Sequence, residues 1–161
     1  MNRAPAFLLA AALAACTGPP PEAYVGGGRG AGGVGLGKNA AGESCTQQAA
    51  GNGADIFCGT WEQPSGHVAV MEGAIDLRAA AASSPWRNAL DSRLDCGEPT
   101  PSSILGGIPA LVLSCTRKVG GWPQAALVAG VNGRIYLADS ILPALPVLER
   151  SVAVLSGRST A

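Results

Sequence analysis

Ala110-Leu111-Val112-Leu113-Ser114-Cys115-Thr116 decides the fold of this 161-residue chain. In an extended backbone Leu111, Leu113 and Cys115 fall on one side, and Val112, Ser114 and Thr116 on the other. Gly120-Gly121-Trp122-Pro123 then turns the chain, and a second strand runs from Gln124 to Val131. Asn132-Gly133 follows, the strongest short hairpin signal, because both residues readily take the positive φ of a type I′ turn. Arg134 to Ala138 is the third strand. The passage predicts an antiparallel meander.

Working outward, Asp55-Ile56-Phe57-Cys58 and His67-Val68-Ala69-Val70-Met71 are β-prone, with turn chemistry at Gln63-Pro64-Ser65-Gly66 between them. Ala74 to Ala82 reads as helical by its alanine content. Ser84 and Pro85 restart a helix as N-cap and first residue. Trp86, Leu90 and Leu94 recur every four residues along one helical face until Cys96-Gly97 ends it. A last helix is expected from about Pro143 to Ser156. Its stripe is Leu145, Leu148, Val152 and Leu155, its C-cap is Gly157, and Glu149 and Arg150 fall on its outer face.

The expected order is β-β-α-α-β-β-β-α. The fold class is α+β: a small antiparallel sheet, built of a hairpin plus a three-stranded meander, with helices packed on one face. Trp86 and the Leu145 stripe would both cover the Leu111–Leu113 face.

The first fifteen residues read differently. Arg3 supplies a positive start, Ala6 to Ala12 is an apolar run too short for a bilayer, and small residues follow. Leu13-Ala14-Ala15-Cys16 resembles a bacterial lipobox. That resemblance implies a signal peptide over 1–15, acylation of Cys16 and attachment to a membrane through the lipid. Thr17 in place of Asp after the cysteine implies an outer-membrane lipoprotein facing the periplasm. An ordinary secretory signal and an uncleaved helical anchor compete with this reading, the anchor against the roughly 20 apolar residues that spanning requires. Residues 16–37, rich in proline and then glycine, read as a tether with a reach of about 25 Å, and a single domain fills 38–157. Gly26-Gly27-Gly28-Arg29-Gly30 lacks the flanking strand, the Gly-Lys-Ser/Thr ending and the helix that a phosphate-binding loop needs.

Composition narrows the classes. With 47% hydrophobic and 14% charged residues the chain is not of the charge-rich disordered type. Its formal net charge is zero, which leaves no cationic surplus to neutralise phosphates, so nucleic acid is not an expected partner. Once Cys16 carries lipid, Cys45, Cys58, Cys96 and Cys115 remain. Four cysteines allow three connectivities. Cys45–Cys58 with Cys96–Cys115 is expected, because each pair closes a local loop in one half of the chain. A zinc site is not expected: no C-x-x-C spacing occurs, and His67, the single histidine, sits apart from any cysteine pair. No cofactor is implied.

Candidate chemistry is sparse. His67 is the one imidazole base, and a cysteine nucleophile beside it would need to be free of a disulfide. There is no G-x-S-x-G elbow. Asp91 and Asp95 are one helical turn apart and read as a solvated surface near Arg87 and Arg93, while Asp139 follows a strand and helps start the last helix. Trp61 and Trp122 lie in loop-like phrases, either as lids on the sheet ends or as a contact surface for a partner.

Cys58-Gly59-Thr60-Trp61-Glu62-Gln63-Pro64, Cys115-Thr116-Arg117-Lys118-Val119-Gly120-Gly121-Trp122-Pro123 and Leu142-Pro143-Ala144-Leu145-Pro146 together resemble the N-terminal region of exported tetratricopeptide-repeat proteins of high-GC alphaproteobacteria, some of which carry a caspase-like CHAT domain. The resemblance spans roughly residues 35–157. No 34-residue helical repeat is present here, so it implies an accessory or interaction module and transfers no catalytic residue. The expectation is a lipid-anchored, non-catalytic envelope domain that binds another envelope protein or the cell wall. The alternative is a small envelope enzyme with its site near His67 and the loop tryptophans. A third reading, a structural module ahead of a repeat domain, stays open.

Overall fold

The computed structural model describes residues 33–60, 62–75, 84–141 and 145–158. In chain order the elements are β1 (Val34–Lys38), β2 (Ser44–Ala50), β3 (Gly53–Cys58), β4 (Gly66–Glu72), α1 (Pro85–Asp91), β5 (Leu94–Cys96), β6 (Thr100–Ile104), β7 (Ile108–Arg117), β8 (Pro123–Val131), β9 (Arg134–Ser140) and α2 (Leu145–Ser156). The nine strands of the described residues join one antiparallel sheet in the order β1-β2-β3-β4-β9-β8-β7, with β5 and β6 end to end along the outer margin of β7. The fold is α+β and dominated by its sheet.

The expected meander is β7-β8-β9. Val131 opposes Arg134 across the two-residue loop, where Asn132 (φ 50°) and Gly133 (φ 74°) both take positive φ. The expected hairpin is β3-β4, with Ala54 opposite Val68 and Asp55 opposite His67. One long-range pairing unites the two halves: all seven residues of β4 lie against β9, from Gly66–Ser140 to Glu72–Arg134. Gly66 is required there, since a Cβ would sit 1.9 Å from the Asp139 carbonyl oxygen.

The helices occupy opposite faces of the sheet, not one. Trp86 and Leu90 of α1, with Leu94, pack on Leu111, Leu113, Val128 and Leu137, as expected for Trp86. Val147, Leu148 and Val152 of α2 instead pack with Ile108, Ala110, Leu127 and Ala129, which alternate to the other side. The reason is written in β8 and β9. Ala126 to Ala129 and Ile135 to Ser140 are continuous buried runs, and a strand buried without alternation needs cover on both sides.

Three boundaries differ from expectation. The helix after Pro85 stops at Asp91, because Leu94–Cys96 pairs with β7 and Cys96 lies opposite Cys115. Leu94 still joins Trp86 and Leu90 in one cluster, now from a strand. Val34 to Gly37 belongs to β1 and not to a tether: Leu36 is fully buried, and its carbonyl accepts a hydrogen bond from Arg150. Of the helix expected over 74–82, Ala74 and Ile75 are not helical, and the remainder lies outside the described residues. At its other end the chain keeps to the reading. Gly157 (φ 69°) closes α2, its N–H donating to Val154 and that of Arg158 to Ala153, which satisfies two terminal carbonyls.

Glu149 and Arg150 are half-buried rather than outward-facing. Glu149 Oε1 accepts a hydrogen bond of 2.6 Å from the Leu105 N–H in the β6–β7 turn, while Arg150 donates to Leu36 on β1. These targets sit at opposite margins of the sheet, so the sheet curls round α2 and the helix bridges its open seam. Ser151 Oγ, fully buried, meets Gln47 Oε1 beneath it.

Candidate functional site

Strand register assembles the candidate site. Asp55 on β3 opposes His67 on β4, and His67 opposes Asp139 on β9, so three adjacent strands set these side chains in a row. Their neighbours Ile56, Val68 and Ala138 all face α2, so by alternation the row faces the α1 side. Arg117 at the end of β7 and Gln124 at the start of β8 reach the same side, two residues along from Cys115 and Ala126. Arg93, in the turn between α1 and β5, completes the group.

His67 Nδ1 lies 3.2 Å from Asp55 Oδ1, with 19% and 12% of the two side chains exposed. Asp139 is fully buried and accepts a hydrogen bond of 2.9 Å from Arg93 Nη2, whose side chain remains 38% exposed. Arg117 is also buried. Desolvation pushes its pKa down to about 10, and the Asp139 carboxylate opposes that shift. A buried carboxylate thus stands between two guanidiniums at the end of an otherwise apolar face.

Chemically, an Asp–His pair orients an imidazole and fixes its tautomer when Nδ1 carries the proton. No described cysteine offers a thiolate beside it, because Cys45 is bonded to Cys58 and Cys96 to Cys115, the two pairings expected from sequence. The Ser65 hydroxyl, two residues before His67, donates to the Ile56 carbonyl. Among the described residues no group of three His, Cys, Asp or Glu is placed to hold a metal ion. Cavities of about 170 Å³, lined by Ile75, Pro109 and the β8–β9 turn, and of about 230 Å³, lined by Leu105, Pro146, Glu149 and Arg150, both lie away from His67.

Each disulfide joins residues directly opposite in neighbouring strands, with Cα atoms 4.1 Å and 4.0 Å apart. Next to the first, Gly59 N–H donates to Ser44, and next to the second, Gly97 N–H donates to Ser114. Both bridges therefore span non-hydrogen-bonded pairs, where side chains approach most closely. Two such bridges point to an oxidising, non-cytoplasmic compartment. No helix of the described residues is long and apolar enough to cross a membrane.

The other candidates are scattered. Trp122 is half-buried just before β8, and its carbonyl accepts from the Arg117 N–H at 2.8 Å. Trp61 and Cys16 lie outside the described residues, although the β3–β4 loop that carries Trp61 opens at the same end of the sheet as the Trp122 loop. Asp91 and Asp95 do not share a helix face. Asp91 pairs with Arg87 at 3.0 Å within α1, whereas Asp95 is on β5, exposed and 4.0 Å from Lys118. Asp139 belongs to β9 and starts no helix, being committed to Arg93. Sequence reasoning did not single out Asp55, Arg93 or Arg117 as site residues. The signal available was Arg117 continuing the inward period of Leu113 and Cys115.

Comparisons with protein-family models, with curated proteins and with solved structures find no match to this chain.

Proposed function

We propose that the chain is a lipid-anchored domain of the bacterial cell envelope, held at Cys16, facing the periplasm from the outer membrane, and acting as a non-catalytic module that binds another envelope protein or the cell wall. The observation that carries the reading is the pair of interstrand disulfides, which marks an exported domain and leaves Cys16 as the one cysteine available for lipid. Partner contact is assigned to Trp122 and, from the sequence, to Trp61, which lies outside the described residues. The likeness to the leading region of exported repeat proteins supports the same accessory role.

A second reading has one observation in its favour. The Asp55–His67 pair has the spacing of an oriented general base, and a small envelope hydrolase would use it there.

The deciding experiment is the intact mass of membrane-extracted protein, before and after reduction and alkylation. A chain starting at Cys16 with a diacylglycerol, and with no alkylatable thiol until reduction, supports the proposal. A chain that keeps Met1, or carries free thiols at Cys45, Cys58, Cys96 or Cys115, overturns it. For the second reading, activity against envelope substrates that His67→Ala abolishes with folding intact would displace the non-catalytic assignment.

A further inference from the structure

The two disulfides are built alike and placed differently. Cys45 and Cys58 are buried within the cluster beneath α2, 2% and 0% exposed. Cys115 is 6% exposed, but Cys96 is half-buried on β5, a strand of three residues at the sheet margin. Thiol–disulfide exchange requires a thiolate to reach one sulfur in line with the bond, so access decides which bridge reacts. Of the four cysteines, only Cys96 is half-buried rather than buried and carried by a marginal strand.

What this bridge holds is a discrete piece. Residues 85–96, α1 with β5, meet the sheet through Trp86, Leu90 and Leu94 and through three residue pairs with β7. Among their polar ties to the rest is the Lys118–Asp95 ion pair at 4.0 Å. Arg93 reaches Asp139, the Lys118 N–H donates to the Arg93 carbonyl, and the Lys118 ammonium meets the Asp91 carbonyl. Arg87, by contrast, bonds the carbonyls of Cys96 and Gly97, which stiffens the piece without tying it to the sheet. The rest of the sheet, from β1 to β4 and from β9 to β7, is paired without it.

We propose that Cys96–Cys115 is a redox-sensitive clasp, opened by a dithiol reductant, whose release lets α1 and β5 lift from the sheet while the remainder stays folded around α2. The reductant's first thiolate attacks Cys96 Sγ, forming a mixed disulfide as Cys115 leaves as a thiolate and takes up a proton. The reductant's second thiolate then displaces Cys96, which leaves as a thiolate and is protonated in turn. The reductant departs as a disulfide and the clasp as two thiols. Opening would uncover Leu111, Leu113 and Val128. The inference rests on the placement of the bridges and not on the lipid anchor, so it stands or falls separately from the proposed function.

The test is a graded dithiothreitol titration of the purified chain, quenched by alkylation and read by peptide mass, with hydrogen exchange followed in parallel. The expected result is alkylation of Cys96 and Cys115 at a dithiothreitol concentration at least tenfold below that which opens Cys45–Cys58. Exchange over 84–96 should rise tenfold or more, with β3, β4 and β9 unchanged. The double variant Cys96→Ser with Cys115→Ser should reproduce that exchange pattern without reductant and keep its β-sheet circular dichroism. Simultaneous opening of both bridges, unchanged protection over 84–96 after selective opening, or a double variant that does not fold would each overturn the proposal.

Discussion

Glu149 Oε1 sits 2.6 Å from the backbone nitrogen of Leu105, in a turn where Leu105 itself takes a left-handed conformation (φ 49°). A non-glycine residue there costs about 1–2 kcal/mol, and the hydrogen bond to a carboxylate offsets it. Because Arg150 holds Leu36 on the far margin, this single turn of α2 keeps the curled sheet closed.

Substituting Glu149→Ala should therefore lower stability by about 1.5–3 kcal/mol, since a charge-assisted bond is lost and the Leu105 strain remains. Glu149→Gln, which keeps an acceptor, should lose less than half as much. Urea denaturation of both variants at pH 7 checks the ordering.

Asp139 and Arg117 should respond unequally. Removing the carboxylate in Asp139→Ala leaves the buried Arg117 without its opposing charge, at a cost of about 3–5 kcal/mol, while Arg93, partly exposed, can turn to water. Arg117→Met removes a group that burial already disfavours, and should cost distinctly less. The same burial sets a sign with pH. The folded pKa of about 10 lies below the ordinary arginine value, so the unfolded chain holds the proton more tightly. The penalty is present in full at neutral pH and is relieved only as pH rises through about 10 and beyond. Equilibrium unfolding of wild type and Arg117→Met between about pH 7 and about pH 11 should show the wild type gaining stability relative to the variant towards the alkaline end.

Gly66→Ala should cost about 2–3 kcal/mol, because its Cβ would press on the Asp139 carbonyl and part β4 from β9. Gly133→Ala meets open space and only the positive-φ penalty, about 1 kcal/mol. Melting temperatures of the pair separate a close approach from a backbone preference.

Replacing both Cys45 and Cys58 by Ser should lower stability by about 3 kcal/mol on the chain-entropy account. The loss should spread over β2, β3 and α2 together, because this bridge lies in their shared core. Hydrogen exchange of the double variant tests that breadth.

Much of the sheet was legible. The alternation in β7, the Asn132-Gly133 turn and Gly157 each carry a local physical cause that nothing distant overrides. The cysteine pairing was legible because both bridges close short loops. The missing strands had no such signal. In Ser44–Ala50 the inward position between Cys45 and Ala49 is Gln47, whose burial is made tolerable by Ser151 from the far end of the chain. Thr100–Ile104 contains Pro101 and two serines, and is a strand only because β7 pairs with it. The candidate site was illegible for a related reason. Asp139 joins the Asp55–His67 pair of the β3–β4 hairpin only through the β4–β9 register, and no spacing within either half announces that match.

That register also orders events in time. A chain that emerges from its N-terminus presents β4 long before β9, so an unpaired strand edge must wait through half the sequence. Cys45 and Cys58 are already within reach of each other during that interval, and their closure would pre-form the first half without its partner. The late step is then the arrival of the meander at β4, a non-local closure expected to limit the folding rate and to be the moment at which the chain is most prone to pair with the wrong edge.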